Sequence, residues 1–201
     1  MELIVISDPG IIANEASVIN LLFEAGMTRF HLRKPNWSSN QCHDLLKEIN
    51  PVFHPDIALH QHHILADNIN TKRLHYTEKH RLACNQEEIN SQKQEGFFCS
   101  TPVHRLADLP FLNAFNCVFF SPVFNSISKP GYESELKKGF VLEKASPSTS
   151  VIALGGIEAR NIEQISQMKF DGAAVLGAIW KNPEQAVNIF RQLNTLIMNH
   201  K

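Results

Sequence analysis

Eight short apolar runs, each followed by a stretch with helical spacing or turn chemistry, constrain what this chain can fold into. They are Leu3–Ile6, Arg29–Leu32, Ile57–Leu59, Leu74–Tyr76, Phe97–Cys99, Cys117–Phe120, Val151–Leu154 and Ala173–Leu176. Several are apolar throughout rather than alternating, the pattern of strands covered on both faces in a parallel sheet. Between them, Val18, Leu21, Leu22 and Ala25 recur at helical intervals and are closed by Gly26. Ile162, Ile165 and Met168 form a second such stripe, and Val187, Phe190, Leu193, Leu196 and Ile197 a third. Ser38 and Ser39 supply a helix-start signal, and Pro183 after Asn182 stands where a first-turn proline would. Eight strands with intervening helices define an α/β (β/α)₈ TIM barrel, and about 25 residues per unit is near the floor for that architecture. An open doubly wound sheet needs only about six strands and leaves two runs unexplained. With no linker, charge block or fixed-period repeat, residues 1–201 read as a single compact barrel domain.

Composition narrows the function classes. The 201 residues carry 19 Lys and Arg against 20 Asp and Glu, a net charge of -1. That balance predicts no nucleic-acid partner, because such affinity comes from clustered bases neutralising phosphates. A hydrophobic share of 43% excludes intrinsic disorder. No apolar stretch approaches the ~18 residues of a membrane span, so no membrane partner is expected. The start Met1-Glu2-Leu3-Ile4-Val5-Ile6-Ser7-Asp8 lacks a basic region, and acid interrupts its apolar run too early for a signal peptide. Cys42, Cys84, Cys99 and Cys117 show no CxxC spacing and read as reduced thiols. A cytoplasmic protein is expected.

Barrel enzymes do their chemistry just beyond the C-terminal ends of the strands. The residues there include Ser7 and Asp8, Arg33 and Lys34, His60 to His62, Thr77 to His80, Ser100, Ser121 to Lys129, Gly155 and Gly156, and Gly177. In Ser121-Pro122-Val123-Phe124-Asn125-Ser126-Ile127-Ser128-Lys129, two hydroxyls and an ammonium follow a very apolar strand, donors suited to a phosphate or pyrophosphate. Gly155, Gly156 and Gly177 close the seventh and eighth strands, where barrels often bind phosphate through backbone N–H groups. Arg33 ends the second strand, and His31, two residues earlier, points to the same side. The ten histidines include His60-Gln61-His62-His63, His75 and His80, and on a strand His60 and His62 would face one way. No carboxylate or cysteine stands at a recognised zinc spacing, so the metal content stays unknown. No GxSxG is present, and Cys99 and Cys117 lie inside apolar runs as inert packing.

On these residues the chain resembles the thiamin phosphate synthase/TenI superfamily over nearly its full length. His31-Leu32-Arg33-Lys34 stands where that family has Gln-x-Arg-x-Lys, and Cys99-Ser100 stands for its Gly-x-Ser loop. The Ser121–Lys129 stretch resembles Gly-Pro-[VI]-[FY]-x-Thr-x-Thr-Lys, and Ala153-Leu154-Gly155-Gly156-Ile157 resembles Ala-Ile-Gly-Gly-Ile. The opening strand Leu3–Asp8 matches as well. The resemblance implies a barrel and a transferase that condenses hydroxymethylpyrimidine pyrophosphate with thiazole phosphate, its partners being small phosphorylated pyrimidine and thiazole molecules. By that likeness Arg33, Ser100, Ser126, Ser128 and Lys129 bind pyrophosphate, while Gly155, Gly156 and Gly177 hold the thiazole phosphate. Lys129, with His31 and His60, is carried as the candidate catalytic set. The implied Mg²⁺ meets a departure, since the family's carboxylates are replaced by His60-Gln61 and, after the fourth strand, by His80. The TenI-type tautomerases use a histidine after the sixth strand, where this chain has Pro122, so a tautomerase would recruit His31 or His60. A binder of these precursors without turnover is the third reading, and a homo-oligomer is left open.

Overall fold

The computed structural model describes residues 1–124, 134, 136, 137, 139–143 and 148–198. Its strands are β1 (Glu2–Ile6), β2 (Phe30–Leu32), β3 (Ile57–Leu59), β4 (Arg73–His75), β5 (Phe98–Val103), β6 (Cys117–Phe120), β7 (Ser150–Leu154) and β8 (Gly172–Val175). They close in sequence order into one parallel barrel, with β1 pairing β8 from Glu2↔Gly172 to Val5↔Val175. All eight runs are therefore strands, and the barrel is the fold.

The helices are α1 (Glu15–Glu24), α2 (Ser39–Glu48), α3 (Leu65–Asn68), α4 (Glu78–Ala83), α5 (Gln86–Gln94), α6 (Ile162–Gln167), α7 (Gly177–Trp180) and α8 (Ala186–Met198). Ser38 caps α2 with a full capping box, its hydroxyl accepting from the Gln41 N–H while the Gln41 side chain accepts from the Ser38 N–H. Pro183 opens a 3₁₀ turn that feeds α8, whose buried stripe is Ala186, Phe190, Leu193 and Ile197. In α1 the buried stripe is Ala16, Ile19, Leu22 and Phe23, and Leu21 is half exposed. The helix is thus turned by about one residue from the face that Val18 and Leu21 suggested, because Ile19 and Phe23 complete a stripe of i, i+3, i+4 spacing.

One strand runs further than expected. β5 continues through Pro102 to Val103, paired with Phe119 and Phe120 of β6. Proline is tolerated for a geometric reason. The Cys99 and Val103 carbonyls accept from Asn116 and Ser121 on the β6 side, so the missing Pro102 N–H falls on the β4 side, beyond that strand's end at His75. Inside the barrel, Ile4, Ile6, Cys117, Phe119, Ile152 and Ala174 form their own apolar cluster, separate from the larger core between strands and helices. On the β2–β4 side the lumen holds Ala58 and the polar side chains of His31, His60, His75 and Ser100.

Candidate functional site

On the β6–β8 side of the mouth, the backbone itself is the feature. Beyond β6, Val123 N–H donates to the Leu154 carbonyl at 2.9 Å and Phe124 N–H to the Gly155 carbonyl at 3.1 Å. The loop entered at Ser121 is thus zipped onto the end of β7. Gly155 and Gly156 have φ of 103° and 65°, the left-handed region that suits glycine. A Cβ at Gly155 would stand 3.0 Å from the Pro122 Cα and 3.1 Å from its Cβ, so the close approach of the two loops requires that glycine. Asn161 Nδ2 donates to the Gly156 carbonyl at 2.8 Å and holds the turn. Gly177 is exposed at the start of α7, which Trp180 pins to the barrel through an Nε1–H bond to the Ile6 carbonyl at 2.7 Å. Ser126, Ser128 and Lys129 lie outside the described residues.

On the β2–β4 side, side chains make the site. The β1–β2 register pairs Ile6 with His31, and the Ser7 hydroxyl accepts from the Arg33 N–H at 2.7 Å while donating to the Arg33 carbonyl at 3.1 Å. That buried serine locks the strand end from which Arg33 leaves. Below it, His31 Nδ1 lies 3.0 Å from His60 Nε2, and the His60 and His75 rings stack with centroids 3.9 Å apart. Phe119 lies against His31 and His75 with centroids at 4.9 and 5.1 Å. The β4–β5 register sets His75 opposite Ser100, and His75 Nδ1 lies 2.9 Å from the Ser100 Oγ. All three imidazoles are buried. Desolvation holds His31 and His60 well below the usual imidazole range and takes His75 down to about 3. Charge adds to this, from His75 and Arg29 on His31, from His75, His31 and Arg33 on His60, and from His63 and Arg33 on His75. Arg33 follows directly on β2, two residues beyond His31.

The structure sorts the expected residues accordingly. His31, His60 and Ser100 come together inside the lumen, with Ser100 on the extended β5 rather than on a rim loop. His60 and His62 do not face one way. His62 leaves the strand with φ 53°, and its Nε2 lies 2.8 Å from the Trp37 carbonyl, so the partners of His60 are His31 and His75. Lys34 is fully buried and spent structurally. Its Nζ donates to Glu15 Oε2 and to the Gly10 carbonyl, both at 2.6 Å, and stands 4.6 Å over the Trp37 ring. Burial raises the Glu15 carboxyl while its bond to Lys34 lowers it, burial winning. The thiols of Cys99 and Cys117 are also pushed up by burial, the first to about 11.

Two participants escaped the sequence reading. By type alone His75 groups with His60 and His80, and its alliance with His31 and Ser100 needs the strand register. His104, just beyond β5, places Nδ1 2.9 Å from the Ser121 carbonyl, at the entrance to the β6 loop. Only the extension of β5 to Val103 brings it there.

The donors present do not fit Mg²⁺. Where the resemblance puts carboxylates, the His60 ring is turned into the lumen, Gln61 Oε1 accepts from the Lys34 N–H at 3.1 Å, and the His80 ring lies 4.9 Å from that of Tyr76. Glu78 Oε1 is 3.5 Å from Arg81 Nη2, and Asp67 is exposed on α3. Mg²⁺ prefers hard oxygen ligands to imidazole.

The chain is a closed parallel (β/α)₈ barrel whose β7 ends in the left-handed pair Gly155 and Gly156, a position where barrels of this class often bind phosphate. The family model described as thiamine monophosphate synthase matches residues 3–179, and the chain belongs to that family. A thiamine-phosphate synthase of Lysinibacillus sphaericus (strain C3-41) is 31% identical over 83 residues, a match spanning 39% of this chain and 39% of that relative. Among solved structures, a thiamine phosphate pyrophosphorylase from Bacteroides thetaiotaomicron superposes with a TM-score of 0.75 at 25% identity, covering 98% of each chain. One from Pyrococcus furiosus gives 0.76 at 15% identity, covering 99% of this chain and 96% of the other, and so speaks for the fold alone.

Proposed function

We propose that this chain is a thiamin-biosynthesis protein that binds phosphorylated thiamin precursors at the barrel mouth. Its nominal reaction joins hydroxymethylpyrimidine pyrophosphate to thiazole phosphate. The observation that carries the reading is the zipped pair of loops at Val123–Leu154 and Phe124–Gly155. That contact sets the glycine turn beside the loop that leads to Ser126, Ser128 and Lys129.

In this reading the bond between the pyrimidine methylene carbon and the pyrophosphate oxygen breaks, and both electrons leave with pyrophosphate. The thiazole nitrogen gives its lone pair to that carbon, the positive charge ends on the thiazolium ring, and no proton need move. The protein's work is to hold the leaving anion and to keep water from the carbocation. Arg33, fixed by Ser7, meets the departing charge together with Ser126, Ser128 and Lys129. The backbone N–H groups at Gly155, Gly156 and Gly177 take the thiazole phosphate. Supplying both precursors, with and without divalent ions, and measuring thiamin phosphate and released pyrophosphate tests this. Both products in equal amounts are expected, and no product above background under any ion removes the condensation.

A second reading, proton transfer on a thiazole carboxylate phosphate, is favoured by the His31–His60 hydrogen bond and by His104 beside Ser121. It requires tautomer aromatisation that is lost in His31→Ala or His60→Ala, and activity indifferent to both eliminates it. Calorimetric binding of thiazole phosphate without either reaction identifies a binder.

A further inference from the structure

The lumen beneath Arg33 holds a group of side chains that the condensation does not use. His31, His60 and His75 present one ring nitrogen each, all within 4.8 Å of one another, and they form the one group of this kind among the described residues. We propose that these three imidazoles are a binding site for a single Zn²⁺ ion, with an anionic oxygen as fourth ligand.

His75 Nδ1 lies 2.9 Å from the Ser100 hydroxyl, which itself lies 3.3 Å from the Leu74 carbonyl. In the tautomer the site calls for, Ser100 donates to Leu74 and accepts from His75 Nδ1–H, leaving Nε2 bare, the arrangement in which an outer hydrogen bond orients a metal-binding imidazole. His31 Nδ1 and His60 Nε2 face each other at 3.0 Å, so at least one of them already lends a lone pair to the gap. An ion between them moves the shared proton to the far nitrogen of the same ring, and no net proton is lost. Four-coordinate zinc with Zn–N of about 2.0–2.1 Å sets its ligand nitrogens roughly 3.4 Å apart, so a group lying within 4.8 Å has to close by at most about 1.4 Å.

Ligand chemistry selects the ion. Three imidazoles without a carboxylate suit a borderline metal and not Mg²⁺ or Ca²⁺. Beside His31 and Ser100 is a lumen cavity of about 30 Å³, also lined by Arg29, Arg73, Phe119 and Ser150. That is room for one water-sized ligand. Arg29 is paired with Glu2 at 3.0 Å and Arg73 with Asp56 at 3.8 Å, so these arginines are balanced. The charge of the ion itself, met by three neutral imidazoles and no carboxylate, is why the fourth ligand is hydroxide or another small anion rather than neutral water.

The test uses the full chain without a histidine tag, stripped with chelator and titrated with Co²⁺ and then Zn²⁺. One equivalent of Co²⁺ should give the intense visible bands of a four-coordinate ion, and one equivalent of Zn²⁺ should erase them. His31→Gln, His60→Gln and His75→Gln should each weaken binding more than a hundredfold. Ser100→Ala should weaken it about 10- to 100-fold, as loss of an outer partner does. His62→Gln, outside the group, should bind as the parent does. Absence of the bands in the unmodified chain overturns the site whatever the variants do, as does uptake unaltered in all three histidine variants. Neither result bears on the binding of phosphate esters.

Discussion

The two sides of the barrel mouth solve different problems with different materials. On the β6–β8 side the site is backbone. Gly155 and Gly156 sit in left-handed turns, β8 is built from Gly172, Ala173, Ala174 and Val175, and the Val123 and Phe124 amides stitch one loop to the next strand. On the β2–β4 side it is side chain, with His31, His60, His75 and Ser100 filling the lumen and a buried Lys34–Glu15 pair bracing the loop above. On the glycine side the sequence keeps the Gly155-Gly156 pair of the resemblance, whereas on the histidine side imidazoles and an amide replace its carboxylates. A backbone site tolerates sequence change as long as the glycines remain. A side-chain site is rewritten by each substitution, so the two halves of one mouth can diverge at different rates.

Acid should separate the halves most strongly. The folded-state pKa values of His31, His60 and His75 lie below the unfolded value, and that of His75 is about 3. Above roughly pH 6.5 each ring is neutral in both states, and stability is flat. Below it the unfolded chain takes up protons that the folded chain refuses, so stability falls as pH falls. For His75 the loss is about 1.4 kcal/mol per pH unit, and His31 and His60 add to it in the same direction. Urea midpoints of metal-free protein between pH 8 and pH 4.5 measure it, and His75→Gln should reduce the slope by about 1.4 kcal/mol per pH unit. A profile flat to pH 4.5 would break the contrast.

Next in size is Lys34→Met, which leaves Glu15 buried without its cation and should cost about 3–5 kcal/mol in denaturant unfolding. Glu15 Oε1 already lacks a partner among the described residues, so Lys34→Met/Glu15→Leu should recover much of that loss. On the other side, Gly155→Ala forces a Cβ against Pro122 at a φ of 103° and should cost about 1–3 kcal/mol. It should also abolish thiazole phosphate binding in calorimetry while leaving the acid slope unchanged. The smallest effect is a control in neither half. Ser38→Ala removes the α2 cap for about 1 kcal/mol and should leave ligand affinity unaltered.

The barrel was legible because its signal is local. Each strand is a contiguous apolar run, and eight of them in order leave few closed topologies. The capping box at Ser38 and the turn at Pro183 were equally local. What stayed hidden depends on register. Nothing near His31 in the chain announces His60, 29 residues on, or His75, and only the placement of β2, β3 and β4 side by side stacks their rings. Lys34 read as a candidate at the mouth because its partner Glu15 lies on α1, across a loop whose path the sequence does not disclose. Pro102 disguised the length of β5, and with it the inward turn of Ser100 and the reach of His104.

The central claim is that the paired glycines after β7 and the start of α7 hold the phosphate of a thiazole ester. A crystal structure of the full chain with thiazole phosphate tests it most directly. The phosphate should lie within hydrogen-bonding distance of backbone N–H groups at Gly155, Gly156 and Gly177. A phosphate seated instead among His31, His60 and Arg33, or no ligand at saturating concentration, would contradict it.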